Sequence, residues 1–133
     1  MKLDVVAFAA HPDDIELACS GTLLSLIAQG KMVGIIDLTR GELGTRGTPQ
    51  TRKQEAADAS QILGIGVREN LDLGDGTFDL SHGNKLEVVK MIRKYQPKLV
   101  FANAMSDRHI DHPRAAQLVR DGQLSLTNLT DKT

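Results

Sequence analysis

The sequence is poor in aromatic residues and cysteine and has no long apolar run. Of 133 residues none is Trp, one is Tyr and three are Phe, so the core must be built from Val, Ile, Leu and Ala, as in helix-covered parallel sheets. The single cysteine, Cys19, excludes an internal disulfide and fits a reducing compartment. No segment approaches the roughly 20 apolar residues of a membrane span, and Asp4 interrupts the apolar amino terminus before it resembles a signal peptide. These features predict a cytoplasmic protein without a membrane partner.

Excess charge of either sign is also missing. The net charge is −1 at pH 7 and the basic residues are scattered along the chain. A protein that binds nucleic acid usually concentrates Lys and Arg on one face, so we expect no nucleic-acid partner. The length fits one domain with a real core.

Apolar runs alternate along the chain with segments of helical periodicity. The predicted strands are Leu3–Ala9, Met32–Leu38, Val67–Leu73 and Leu99–Asn103; the predicted helices are Ser20–Gln29, Thr51–Leu63, Lys85–Tyr95 and a segment that starts near Pro113. This βαβαβαβα order is typical of a parallel sheet with helices on both faces. Right-handed crossovers restrict the topology, and the common doubly wound order predicts the strand sequence 3-2-1-4.

Two polar clusters follow the first and fourth predicted strands. The first is Ala10-His11-Pro12-Asp13-Asp14-Ile15-Glu16 and the second is His109-Ile110-Asp111-His112. Each cluster alone is compatible with a helix cap or a solvated loop. In a 3-2-1-4 sheet, however, the first and fourth strands are neighbours, and both clusters leave the edge where open α/β folds bind ligands. We therefore expect them to form one site.

The residue types in these clusters suit a metal ion. A catalytic zinc usually takes three ligands from His, Asp and Glu and keeps one position open. His11, Asp14 and His112 supply such a set. Zinc would lower the pKa of a bound water and polarise a carbonyl. The same ligand set also suits Fe²⁺ or another divalent metal.

The remaining groups match the other roles of a hydrolase. Asp13 can accept a proton as general base, and His109 can stabilise an oxyanion or protonate a leaving amine. Asp111 can orient a metal-bound histidine. Glu16 can do the same, or simply occupy the favourable first turn of the helix.

A glycine-rich loop, residues 39–47, follows the second strand beside the expected site. Its two arginines, Arg40 and Arg46, can bind a substrate carboxylate or sugar hydroxyls through the guanidinium fork; the alternative is a solvated surface loop. A metal-dependent phosphoesterase is a weaker alternative function, since it would usually need more carboxylates to bridge a second metal.

The paired motifs resemble those of the LmbE/PIG-L family of zinc-dependent N-deacetylases. Residues 37–48 and 70–76 strengthen the likeness, which is greatest to the bacillithiol-biosynthesis branch of Bacillus type and covers about residues 1–121. The resemblance implies a Rossmann-like fold and a hydrolase that removes the acetyl group from an N-acetylglucosamine derivative. For that branch the substrate is N-acetylglucosaminyl-malate; some relatives accept small chitin-like sugars.

The resemblance also implies a role for individual residues. It makes His11, Asp14 and His112 the zinc ligands, with one zinc per chain. It makes Asp13 the general base, and it assigns to His109 the stabilisation of the tetrahedral intermediate.

The likeness stops near residue 121, whereas family members usually continue through further strands and a part that closes the substrate pocket. We therefore expect a Rossmann-like deacetylase core over residues 1–121 and an atypical tail over residues 122–133, which makes the fold look shortened at its carboxyl end. Weak alternation in Gln123–Thr130 predicts a short strand or no regular structure.

The alternative function is an inactive or weakly active relative that binds metal and sugar. An open sheet edge favours contact with another chain, so we expect a homo-oligomer.

Overall fold

The computed structural model describes residues 1–44 and 47–130, the last six of these as backbone only. Strands and helices alternate in the predicted order. They are β1 (Val5–Ala9), α1 (Asp14–Ala28), β2 (Val33–Asp37), α2 (Pro49–Leu63), β3 (Val67–Asn70), α3 (His82–Tyr95), β4 (Leu99–Phe101) and α4 (Asp111–Thr130). Over these residues, none of the helices combines the length and the apolar character needed to cross a membrane.

The four strands form one parallel sheet in the order β3-β2-β1-β4. Val5 of β1 lies opposite Val33 of β2 on one side and opposite Leu99 of β4 on the other. The predicted α/β class and the 3-2-1-4 order are therefore confirmed. The consequence for the site is that the carboxyl ends of β1 and β4 are adjacent.

Alternate residues of β1 face two separate cores. Val5, Ala7 and Ala9 pack with Ile15 and Leu23 of α1. Their neighbours Val6 and Phe8 pack on the other face of the sheet, against residues of α3 and α4 that include Val88, Ile92, Ala115 and Leu118. A strand buried on both faces reads as a continuous apolar run, which is how Val5–Ala9 appears in the sequence.

Three helices begin earlier than the sequence predicts. α1 starts at Asp14 rather than Ser20, and it includes a non-helical residue at Cys19 that splits it into two segments. Ile15, Cys19 and Leu23 keep a four-residue apolar spacing across that point, so the helical pattern begins before the predicted start. α2 and α3 start at Pro49 and His82, where the side chains of Thr48 and Ser81 accept hydrogen bonds from backbone N–H groups of the first turn.

The fourth helix is longer than expected and includes the segment predicted as a strand or irregular. α4 runs from Asp111 to Thr130, so that prediction for Gln123–Thr130 is wrong. Gly122 lies in close contact with α3, since a Cβ there would come 2.6 Å from Val88 Cγ1. The missing side chain lets the two helices approach. The division into a core over residues 1–121 and a tail stays a prediction, and its boundary falls inside α4.

Candidate metal centre

The two polar clusters of the sequence meet at the carboxyl edge of the sheet. The imidazole rings of His11 and His109 lie 4.6 Å apart between centroids, in an edge-to-face arrangement. His112 stacks on His109 at 5.2 Å and lies 5.6 Å from His11. Residues almost a hundred positions apart are thus brought together because β1 and β4 pair directly.

The first cluster is held by a tight turn between β1 and α1. The N–H of His11 donates to Asp14 Oδ2 at 3.0 Å, and the N–H of Ala10 donates to Asn103 Oδ1 at 2.9 Å, just beyond β4. Asp13 has a φ of +95°, a conformation that costs a non-glycine residue energy and persists where the surrounding structure holds it. The turn therefore fixes both aspartates relative to His11.

Asp14 lies between two imidazole nitrogens at spacings that fit a tetrahedral metal ion. Its Oδ2 is 3.6 Å from His11 Nδ1 and 3.3 Å from His112 Nε2. Ligand atoms bound at 2.0–2.1 Å in tetrahedral geometry lie about 3.3 Å from one another. Two nitrogens and one carboxylate oxygen are also the donor types that zinc prefers. Two of the three pairwise spacings in the predicted set of His11, Asp14 and His112 are therefore compatible with one ion, and the assignment of the three ligands stays a prediction.

Carboxylates fix which ring nitrogen of each histidine is left for a ligand. His11 Nε2 lies 2.8 Å from Asp111 Oδ2 and 2.9 Å from Asp75 Oδ1. His112 Nδ1 lies 2.9 Å from Asp107 Oδ2. Because a carboxylate only accepts hydrogen bonds, each of these nitrogens carries the hydrogen. The opposite nitrogens, His11 Nδ1 and His112 Nε2, are then the ones that face Asp14.

Two other groups of donors in the described residues are close enough to hold a cation. Nitrogens of His11, His109 and His112 lie within 4.8 Å of one another, and so do donor atoms of His11, Asp75 and Asp111. All groups include His11. In the group of three histidines, His109 is an alternative ligand to Asp14. The group with Asp75 and Asp111 uses the His11 nitrogen that these two carboxylates already contact.

The charges in the cluster are strongly interdependent. Burial lowers the pKa of His11, but hydrogen bonds with Asp14 and Asp111 outweigh that effect and raise it to about 9. Burial raises the pKa of Asp14 and of Asp111, but hydrogen bonds from His11 hold both below the usual range. Without a metal, a proton on His11 balances these carboxylates, and a metal ion would take the place of that positive charge.

The two predicted catalytic residues lie at the open side of the cluster. Asp13 is exposed overall, but its carboxyl is partly desolvated. This desolvation, together with the charges of Asp14 and Glu16, raises the pKa of Asp13. The N–H of Asp111 donates to His109 Nδ1 at 3.1 Å. This bond leaves Nε2 of His109 as the hydrogen-bond donor of the neutral ring.

The other predicted residues are placed differently. Glu16 lies in the first turn of α1, as one of the two predicted alternatives has it, and its Oε1 is 3.3 Å from Arg68 Nη1 rather than beside a histidine. Arg40 is 60% exposed and lies 3.5 Å from Asp72 Oδ1. Arg46 falls outside the described residues, so its predicted role stays a prediction.

Sequence reasoning missed three polar residues that hold the cluster: Asp75, Asn103 and Asp107. Asn103 Nδ2 donates to Asp14 Oδ2 at 3.3 Å in addition to binding the N–H of Ala10. A usable signal exists for Asn103, since it is a polar residue directly after the fourth apolar run. Asp75 and Asp107 lie in loops, and their contacts depend on loop conformations that periodicity does not encode.

A cleft of about 550 Å³ opens next to the cluster, at the carboxyl ends of β2 and β3. Pro12 of the first motif, Arg40 and Asn70 line it on one side, and Pro49 and Lys53 of α2 line it on the other. The cleft provides room for a ligand larger than the reacting group alone.

Fold and site together define a class: a parallel α/β protein with a candidate metal centre at its topological switch point. The comparison with family models gives the family. The model of the PIG-L family, described as GlcNAc-PI de-N-acetylase, matches residues 6–122. The chain therefore belongs to the PIG-L/LmbE family of deacetylases, as the motifs predicted.

Individual relatives agree with this assignment. The chain is 32% identical over 114 residues to YaiS of Escherichia coli, an uncharacterised deacetylase, and 30% identical over 103 residues to the diacetylchitobiose deacetylase of Thermococcus kodakarensis. These matches cover 81% and 72% of this chain. The crystal structure of the conserved protein TT1542 from Thermus thermophilus superposes with a TM-score of 0.86 over 90% of this chain, at 44% identity. The chain spans 61%, 39% and 55% of the lengths of these three proteins.

Proposed function

We propose that the protein is a zinc-dependent hydrolase that removes the acetyl group from an N-acetylglucosamine derivative. The observation that carries the proposal is the position of Asp14 Oδ2, 3.3–3.6 Å from one nitrogen each of His112 and His11. Membership of a de-N-acetylase family supports the reaction type. When bound, zinc supplies Lewis acidity that polarises a carbonyl and acidifies water.

Asp13 is the proton acceptor in this proposal. It directly precedes the candidate ligand Asp14, it is exposed, and the α1 backbone does not use its side chain as a cap. Its raised pKa makes it a stronger base than an ordinary aspartate, and a base is most effective when its pKa approaches the working pH. A carboxylate serving only as a helix cap would instead accept backbone hydrogen bonds.

His109 is the hydrogen-bond donor in this proposal. Its Nδ1 accepts from the N–H of Asp111, which leaves Nε2–H to donate to the reacting group or to the departing amine. The ring is exposed and is held between His11 and His112 by aromatic contacts. Preorganised donors of this kind stabilise developing charge without reorganisation at the moment of reaction.

The substrate we favour is N-acetylglucosaminyl-malate, the substrate of the bacillithiol branch that the motifs resemble, with a small chitin-like sugar as the second choice. A diacetylchitobiose deacetylase among the relatives supports the second choice. Arg40 lines the cleft beside the cluster and can bind a carboxylate or hydroxyls there, with Arg46 as a second candidate. We also propose a cytoplasmic location and a homo-oligomer.

The test is an amine-release assay on three substrates, with zinc content measured on the same sample. N-acetylglucosaminyl-malate, N-acetylglucosamine and diacetylchitobiose are compared at equal concentration. The proposal predicts about one zinc per chain and release of free amine from at least one of them, fastest from the malate derivative.

Two outcomes decide against the proposal in different ways. Zinc at one per chain without amine from any substrate supports the alternative of an inactive relative that binds metal. Amine release that is unchanged after complete removal of metal by a chelator contradicts metal dependence.

A further inference from the structure

Asp75 connects the metal centre to the loop that follows β2. It is 8% exposed. Its Oδ1 lies 2.9 Å from Nε2 of His11, and its Oδ2 accepts a hydrogen bond of 2.7 Å from the N–H of Leu43. Leu43 belongs to the glycine-rich loop that also contains the substrate candidate Arg40. One side chain thus contacts both a candidate metal ligand and the candidate substrate loop.

A carboxylate suits both contacts, the ion-pair contact with His11 and the hydrogen bond from Leu43. The N–H of Leu43 is a donor, and His11 Nε2 is a donor because it also faces Asp111. A carboxylate offers an accepting oxygen to each. An asparagine at this position would offer one oxygen and one NH₂ group, so either orientation of the amide places a donor against a donor. A nearly isosteric substitution therefore removes one of the two contacts.

The neighbouring residue, Gly76, contacts Asp111 and lies close to the Leu43 side chain. The N–H of Gly76 donates to Asp111 Oδ2 at 2.9 Å, the oxygen that also faces His11. Gly76 has a φ of +71°, and a Cβ there would lie 3.0 Å from Leu43 Cδ1. Asp75 and Gly76 together therefore place the loop after β3 against both His11 and Leu43.

We propose that Asp75 is a positioning residue that links the metal ligand His11 to the substrate loop at residues 39–44. Rigid placement of His11 by Asp75 raises metal affinity, and an occupied metal site restrains the loop through the same carboxylate. The linkage is reciprocal, so a ligand that orders the loop also strengthens metal binding. The inference rests on the proposed metal site.

The test compares Asp75→Asn with Asp58→Asn, which removes an exposed carboxylate from α2. Zinc affinity is measured on metal-free protein by competition with a chelator, and hydrogen exchange of the peptide containing residues 39–44 is followed by mass spectrometry with and without zinc. We expect Asp75→Asn to weaken zinc binding about 10–100-fold, the usual cost of losing such a supporting group. We also expect zinc to slow exchange of the loop in the wild type and in Asp58→Asn, but not in Asp75→Asn at saturating zinc.

A second variant keeps the test decisive if Asp75→Asn does not fold. Leu43→Pro removes the N–H that donates to Asp75, at a side chain that is 67% exposed, and the response to zinc is read as the difference between the metal-free and zinc-bound forms of the same variant. It should still bind zinc, because Asp75 still faces His11, but zinc should no longer slow exchange of its loop. Wild-type zinc affinity in Asp75→Asn, or a wild-type response of the loop to zinc in Leu43→Pro, overturns the proposal. If wild-type protein binds no zinc, the proposed function fails; faster exchange of the loop in metal-free Asp75→Asn would then still support the structural contact to Leu43.

Discussion

Two groups of buried charges lie near the carboxyl edge of this sheet, and they are balanced in different ways. The first, which we call the Arg68 network, contains Arg68, Asp37, Glu16 and Ser60. Arg68 Nε and Nη2 donate to the two oxygens of Asp37 at 2.7 and 3.0 Å, and Nη1 donates to Ser60 Oγ at 3.2 Å. A guanidinium is permanently charged, so this group carries its own cation.

The metal centre balances its carboxylates with imidazoles instead. Asp14, Asp75 and Asp111 are grouped around His11, whose charge depends on a proton. Each group contains a buried carboxylate oxygen without a hydrogen-bond partner among the described residues: Oδ1 of Asp111 here, and Oε1 of Glu16 in the Arg68 network, which forms only an ion pair with Arg68. The two groups differ in their cation, because Arg68 is permanently charged whereas the proton on His11 can be replaced by a bound ion. We therefore expect the Arg68 network to stabilise the fold and the proposed metal centre to bind a cation.

The largest expected effect comes from Asp13→Asn, at the open side of the metal centre, and it is a loss of activity rather than of stability. If Asp13 is the proton acceptor, the variant loses about 10²–10⁴-fold in the rate of amine release. Zinc content should not change, because Asp13 is not a member of the proposed ligand set. The matched change is Asp58→Asn, which should leave the rate within twofold of wild type. Full activity in Asp13→Asn would remove Asp13 from the mechanism.

Arg68→Met tests whether the Arg68 network stabilises the fold. Removing the guanidinium leaves Asp37, which is 2% exposed, without its partner, and losing one member of a buried ion pair costs about 3–5 kcal/mol. Urea denaturation of metal-free protein measures the loss, with Arg93→Met on the exposed side of α3 as the control. A loss below about 1 kcal/mol, typical of a surface pair, would show that the network does not stabilise the fold.

The loss of stability in Arg68→Met should depend on pH in a defined direction. Burial raises the pKa of Asp37 to about 6 in the folded protein, although Arg68 opposes this. A carboxyl whose folded pKa exceeds its unfolded value stabilises most at low pH, and that stability is lost as the pH rises through the folded pKa. Without Arg68 the folded pKa rises further. The deficit of Arg68→Met relative to Arg93→Met should therefore be smaller at pH 5 than at pH 8; a deficit that grows on acidification would contradict this.

The part of the site that follows from topology could be predicted from the sequence. Once the strand order 3-2-1-4 is inferred, the residues after β1 and β4 must be neighbours, and this brings His11 near His112. What the sequence did not reveal are contacts made by loops. The pairing of Asp107 with His112 depends on the loop before α4. Glu16 was expected either to orient a histidine or to occupy the first turn of the helix. It lies in the first turn of α1, which begins at Asp14, and its carboxylate reaches Arg68.

The prediction for the end of the chain failed for a related reason. Gln123–Thr130 alternates weakly in polarity, which favours a strand when read alone. In the fold it continues α4, and Gly122 lets that helix lie against Val88 of α3. The weak alternation of the segment therefore did not decide its conformation, since it extends a helix that has already formed.

The most direct test of the account is zinc binding by His112→Gln beside His82→Gln. His112 belongs to the second motif and faces Asp14, whereas His82 is exposed at the start of α3. Chelator competition on metal-free protein should show about one zinc per chain in the wild type and in His82→Gln, with affinity at least about 100-fold lower in His112→Gln, because one of three protein ligands is lost. Equal zinc affinity in all three proteins would contradict the claim that the two motifs form a single metal centre.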